Sequence, residues 1–157
     1  MAVIVKTQDI TLIENGIIGH GVNCQGVMGS GVARALRDKY PHVYDSYVMF
    51  CQAHPTKSER LGLVDFVSID TDLIVANMIT QEFYGRDGKV YACPKAITDT
   101  LIWVMNKAKH YKKDIYIPQL GCGLGGLSWS DTVEPIVEAI GELASPINIY
   151  VCCFPNK

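Results

Sequence analysis

The sequence predicts an α/β fold, a three-layer α/β/α sandwich around a mixed central sheet, on three observations. Apolar strand-like segments alternate with amphipathic helical ones along the whole chain. The strand segments are near-continuous runs of Val, Ile and Leu, the pattern of strands covered on both faces. Two glycine-rich turns each leave such a strand and lead toward a helix, the place where open α/β sheets hold ligands. With 157 residues, 48% of them hydrophobic, the chain is expected to form one domain over 1–157 with a self-sufficient core.

The elements follow in order. Val3 to Val5 is a short strand, and Ile17 to Val22 a second that ends in the first glycine turn. Val32 to Lys39 is a helix closed by Tyr40, and Pro41 suits the first position of another. That helix places Val43, Tyr47, Val48 and Cys51 on its apolar stations and runs as far as Gln52. Leu63 to Ile69 and Leu73 to Ile79 are adjacent strands turned by Asp70-Thr71-Asp72. Gly85 to Lys89 is a polar loop, and its Gly85–Gly88 stretch is a candidate lid. Pro94 opens a long helix with Ile97, Leu101, Val104, Met105 and Ala108 on one face. Ile115 to Pro118 is the strand that delivers the second glycine turn. Val133, Ile136, Val137 and Ile140 mark the last helix, which Ser128 and Asp131 start in the manner of a capping box. Ile147 to Cys153 is the final strand.

Composition excludes several classes. A formal net charge of −2 and the lack of a dense Lys/Arg run argue against stable nucleic-acid binding. The six cysteines, at 24, 51, 93, 122, 152 and 153, form no Cys-x-x-Cys pair and no zinc-like spacing with histidine. No metal and no cofactor are expected, and reduced thiols fit a cytoplasmic protein. No apolar run approaches the ~20 residues of a membrane span, and nothing resembles a signal peptide. A monomer is expected, since no heptads are exposed.

The two turns carry the functional signal. The first runs from Gly19 to Gly31 and the second from Pro118 to Leu127. Backbone N–H groups on such turns, beside helix N-termini, suit phosphate oxygens. A pair facing one cleft would grip a diphosphate from both sides. Gly121, Gly123 and Gly126 satisfy the dinucleotide spacing formally, but they precede the last strand rather than belonging to a first βαβ unit with its acidic partner. A phosphate-binding loop of the Walker type is excluded, because no Gly-Lys-Ser/Thr follows either turn. Cys122, between two glycines, reads more readily as a small side chain in a crowded turn than as a nucleophile. His20, three residues before Asn23, is a candidate site residue on an otherwise apolar strand.

Gln8-Asp9-Ile10, Asn23 with its glycine turn, Gly121-Cys122-Gly123-Leu124-Gly125-Gly126-Leu127 and Phe154 occur in the order found in the macrodomain family, which binds ADP-ribose. The chain resembles that family over nearly its whole length. Asn23 through Ala33 followed by Tyr40-Pro41 is most similar to two small types: the ADP-ribose 1″-phosphate phosphatases of yeast and phages, and enzymes that remove ADP-ribose from protein or DNA. The resemblance implies that Asp9 accepts from the adenine amino group while the Ile10 N–H meets a ring nitrogen, and that Phe154 lies against the adenine. It implies that Asn23 binds the distal ribose. Gly29, Gly31, Val32 and Gly121, Cys122, Gly123, Leu124, Gly125, Gly126 and Leu127 would hold the diphosphate and distal ribose.

Departures from the family select among its activities. De-ADP-ribosylating members carry a lysine just after the strand that here ends Ala76-Asn77-Met78-Ile79-Thr80, where this chain has Gln81-Glu82. Protein-directed members also place an acid at the position of Gly125. The segment from Asn77 to Lys89 resembles the phosphatase type, with Asp87 as general base or water-orienting group, Asn77 as a polar partner, His20 as water activator or proton donor and Arg86 as a phosphate contact. The expected partner is ADP-ribose or ADP-ribose 1″-phosphate and the expected reaction is release of the terminal phosphate. An ADP-ribosyl hydrolase acting on protein or DNA, with Lys89 or Asp87, and a non-catalytic reader are the alternatives.

Overall fold

The protein is described by a computed structural model over residues 3–29, 31–85 and 87–153. Its strands are β1 (Val3–Thr7), β2 (Gly16–Asn23), β3 (Val64–Ser68), β4 (Leu73–Gln81), β5 (Ile115–Ile117) and β6 (Ile149–Cys153). They form one six-stranded sheet in the order β1-β6-β5-β2-β4-β3. All neighbours are parallel except β3, which pairs antiparallel with β4 at one edge. The sheet is therefore mixed, as expected, and the reversal between β3 and β4 comes from the Asp70–Asp72 turn. There the Asp70 carboxylate accepts from the N–H groups of Asp72 and Leu73, at 2.8 and 2.9 Å.

The helices are α1 (Gly31–Lys39), α2 (Pro41–Ala53), α3 (Lys57–Arg60), α4 (Pro94–Tyr111) and α5 (Glu134–Ala144). Successive strand residues point to opposite faces, so Ile17 and Ile18 enter different cores. Ile17, Ala76, Met78, Ile115, Ile117 and Val151 pack with α4 and α5. Ile18, Val22, Val75, Ile79 and Cys152 pack with Leu36 of α1 and Val43, Tyr47 and Cys51 of α2. These two cores are the two interlayer spaces of the sandwich.

Several boundaries differ from the sequence reading. β1 continues to Thr7, β4 continues to Gln81, and β6 begins at Ile149, because Pro146 and Ile147 lie in the turn that follows α5. The last helix is preceded by a π-helical turn over Trp129–Val133, where the Ser128 hydroxyl accepts from the Asp131 N–H at 3.3 Å. Asp131 takes part through its main chain. A 3₁₀ turn at Ile10–Leu12 and the short α3 carry no periodicity long enough to be read. Among the described residues no helix is long and apolar enough to cross a membrane.

Leu101 is fully buried between α4 and the sheet. Leu101→Ala is expected to lower unfolding free energy by about 2–5 kcal/mol through lost transfer and cavity terms. Urea unfolding should show a lower midpoint with an unchanged m-value.

Candidate functional site

β2 and β5 are parallel neighbours, so both chains leave the sheet at the same edge. The chain after β2 turns to α1 in one helical layer, whereas the chain after β5 turns to α5 in the other. That divergence opens a crevice between them. The resulting cleft has a volume of about 690 Å³. Gln8, Asn23, Gln81, Pro118 and Cys153, at or just past the ends of β1, β2, β4, β5 and β6, all line it. Both glycine turns form its walls.

The first turn is built around Asn23. A bulge between Val22 and Asn23 breaks the strand alternation there. Asn23 Oδ1 accepts from the Gln25 N–H at 2.9 Å and its Nδ2 donates to the Val27 carbonyl at 2.9 Å. Beyond it, the N–H groups of Gly29, Gly31 and Val32 have no partner among the described residues. The last two belong to the open N-terminus of α1.

The second turn is closed by Leu127 N–H donating to Gly121 O at 2.9 Å and Gly126 N–H to Gly123 O at 3.2 Å. Tyr91 and Ala92 both donate to the Gly125 carbonyl, at 2.9 and 3.1 Å, and so tie this turn to the segment that precedes α4. The N–H groups of Gly123, Leu124 and Gly125 stay without partners among the described residues. A Cβ at Gly125 would lie 2.6 Å from the Gly121 carbonyl oxygen, so no side chain, acidic or otherwise, fits there without moving the turn.

Among the described residues the cleft lining holds no Asp, Glu, Lys, Arg or His. It offers oriented neutral donors, which suit an anionic ligand that carries its own charge. Thr80 is 1% exposed yet lines the cleft, and its hydroxyl has no partner among the described residues. It sits over Gly21, where a Cβ would come within 2.7 Å of Oγ1.

The expected ligand-binding residues divide. Ile10, Asn23, Gly29, Gly31, Val32, Gly121, Gly123, Leu124 and Gly125 line the cleft. Cys122, Gly126 and Leu127 do not. The Cys122 Sγ turns to the Leu120 carbonyl, and burial pushes its thiol up. Leu127 packs against the α4/α5 core. Asp9 is adjacent to the cleft but caps the 3₁₀ turn, its Oδ1 accepting from Thr11 N–H at 3.0 Å and Thr11 Oγ1 at 2.7 Å. Phe154 and Arg86 lie outside the described residues.

The three residues expected to be catalytic are not brought together. His20 and Asn77 are register partners on β2 and β4, 1% and 0% exposed, and neither lines the cleft. His20 shares the face of Ile18 and Val22, beneath α2. Its Nε2 and Asn77 Oδ1 are 2.5 Å apart. Asn77 Nδ2 donates to Val43 O at 3.1 Å and Asp65 Oδ2 at 3.2 Å, and Ser46 of α2 donates to the same carboxylate at 2.9 Å. This buried row joins three strands to α2 and sets His20 and Asn77 among packed side chains rather than in the cleft lining. The His20 Nδ1 has no partner among the described residues. Asp87 is exposed and does not line the cleft. Its carboxylate accepts from the Tyr91 hydroxyl at 2.8 Å and the Lys89 N–H at 3.2 Å, and the Tyr91 bond foremost holds it below the usual carboxylate range.

Sequence reasoning missed Thr80, and also Tyr47 and Arg60, which grip the first turn from behind. Tyr47 stands at helical spacing and reads as core, and Arg60 belongs to no motif. Only the unusual presence of a hydroxyl in that apolar row was a signal.

The crevice at the strand ends, walled by two donor-bearing turns in an α/β/α domain, is an arrangement that suits an anionic ligand. The Macro domain family model matches residues 20–136, and the chain belongs to that family. A DNA ADP-ribosyl glycohydrolase of Mycobacterium tuberculosis is 27% identical over 135 residues, covering 86% of this chain and 38% of the relative. The chain thus spans well under half of such relatives. An ADP-ribose 1″-phosphate phosphatase of Candida albicans is 26% identical over 141 residues, covering 86% of each. A macrodomain protein structure from Streptomyces coelicolor superposes with a TM-score of 0.79 at 26% identity, covering 96% of this chain and 98% of that one.

Burial lowers the His20 pKa from 6.5 to about 4, against the opposing Asn77 hydrogen bond. Between those values the unfolded chain binds the proton and the folded chain does not. Stability is therefore present above about pH 6.5 and lost as pH falls toward about 4, by about 3 kcal/mol from this ring. His20→Gln should flatten the slope of unfolding free energy against pH across that window, as measured by urea titration at a series of pH values.

Proposed function

We propose that this domain binds ADP-ribose 1″-phosphate in the cleft and hydrolyses its terminal phosphate. The observation that carries the reading is the pairing of two neutral donor turns with Gln81, not lysine, at the end of β4. The diphosphate lies between Gly29–Val32 and Gly121–Gly125, the adenine toward Ile10 and Cys153, and the distal ribose toward Asn23 and Thr80. The unpartnered N–H groups stabilise negative charge on phosphate oxygens without reorganising.

Asp87 is the carboxylate at hand, two residues beyond Gly85, which lines the cleft. A water oxygen adds to phosphorus, its proton passes to Asp87, and the bond from phosphorus to the 1″ oxygen breaks. ADP-ribose leaves with that oxygen, which takes up the proton from Asp87. The phosphatase relatives support this reading, and the DNA glycohydrolase relatives favour a second one, removal of ADP-ribose from DNA. The amide of Gln81 argues against the second, since it is no nucleophile and its Nε2 is held by Phe83 O at 2.7 Å.

Incubation with ADP-ribose 1″-phosphate and chelator should release phosphate above a heat-killed control. Asp87→Ala should lower the rate about tenfold or more. No phosphate release refutes the reading, and release of ADP-ribose from a modified oligonucleotide instead establishes the second. Binding without turnover of either leaves a reader.

A further inference from the structure

We propose that Tyr47 and Arg60, neither of which lines the cleft, are positioning residues that fix Asn23 as a single-hydrogen donor to the distal ribose. The proposal rests on the ADP-ribose reading above and adds to it which way Asn23 faces and what holds it.

The Asn23 carboxamide is nearly used up by its own turn. Oδ1 accepts from Gln25 N–H at 2.9 Å and from the Tyr47 hydroxyl at 3.0 Å, with Val27 N–H further off at 3.4 Å. Its two lone pairs are filled. Nδ2 gives one hydrogen to the Val27 carbonyl at 2.9 Å. One Nδ2 hydrogen is left, so Asn23 presents a donor and no acceptor to a ligand.

The Gln25 N–H and the Val27 carbonyl set which end of the amide faces which way, and Tyr47 holds the main chain that carries them. Its hydroxyl is fully buried, shares its one hydrogen between the Asn23 carbonyl oxygen and Oδ1, and accepts from the Gly26 N–H at 3.0 Å. Flipping the Asn23 amide would set Nδ2 against the N–H of Gln25 and Oδ1 against the Val27 carbonyl. Burial also pushes the Tyr47 hydroxyl's pKa well above the ordinary tyrosine value, so it stays a proton carrier.

Arg60 holds the same turn one residue further on. It is 8% exposed and donates from Nη1 to Cys24 O at 2.7 Å, from Nη2 to Cys51 O at 2.7 Å and from Nε to His54 O at 2.6 Å. It has no carboxylate partner among the described residues. Two of its three acceptors are carbonyls at the C-terminal end of α2, whose dipole complements the cation. The guanidinium fork thereby rivets the turn to α2, four residues along from Tyr47 on the same helix face.

The test is calorimetry of the native protein, Tyr47→Phe and Arg60→Lys with two probes, ADP-ribose and ADP. ADP lacks the distal ribose and so never reaches the Asn23 donor. Tyr47→Phe should weaken ADP-ribose about tenfold, one hydrogen bond's worth, and leave ADP within about twofold. Arg60→Lys should act in the same direction. In the native protein, ADP-ribose should shift one of the two Asn23 Nδ2 proton resonances and spare the other. That readout stands even where a variant fails to fold. An equal loss for both nucleotides, an unchanged ratio in both variants, or equal shifts of both Nδ2 protons overturns the clamp while the ADP-ribose reading survives. Failure of the native protein to bind ADP-ribose overturns both.

Discussion

The site depends on one topological constraint: two adjacent parallel strands, β2 and β5, send their chains into opposite helical layers. Parallel pairing makes both exits coincide at one edge, and divergence keeps the following loops from closing over it. The two glycine-rich walls of the cleft follow from that. The first turn leads into α1 and so brings an open helix N-terminus to one wall, while the second turn is folded back on itself and tied through Gly125 to Tyr91 and Ala92. A sheet that wound in one direction only would have covered this edge.

Polar groups in the protein are divided between two tasks. One set is sealed beneath α2, where His20, Asn77, Asp65 and Ser46 bond to one another and to Val43 O. These side chains sit in the strand centres, so their hydrogen bonds act across strands rather than toward the cleft. The other set is main chain and is left unpaired at the strand ends. Buried side-chain chemistry therefore orders the scaffold, and main-chain donors are left free at the cleft. Arg60 joins the two tasks, because a buried cation that bonds only carbonyls of the turn and of α2 makes the cleft wall part of the helix packing.

Much of this was legible in the chain. Alternating strands and helices, both cores and the two turns follow from periodicity and glycine placement, and Pro41 and Pro94 do open helices. The site was less so. His20 lies close to Asn23 in sequence, which suggested a shared role, but period-two alternation puts it on the face of Ile18 and Val22. Only the bulge after Val22 lets Asn23 depart from that pattern, and a bulge leaves no mark in composition. Asp9 illustrates the opposite limit: capping a local turn and accepting from a ligand require the same residue type, and the structure shows the cap. Thr80 and Tyr47 were hidden because a hydroxyl on a buried position looks like core until its partner is seen.

The central claim is that the paired turns at the ends of β2 and β5 hold the diphosphate of an adenine-containing sugar nucleotide. Backbone amide resonances followed during an ADP-ribose titration test it most directly. Saturable shifts concentrated on Gly29, Gly31, Val32 and Gly123 to Gly125 are the predicted result. Shifts centred elsewhere on the surface, or none at saturating nucleotide, would contradict it.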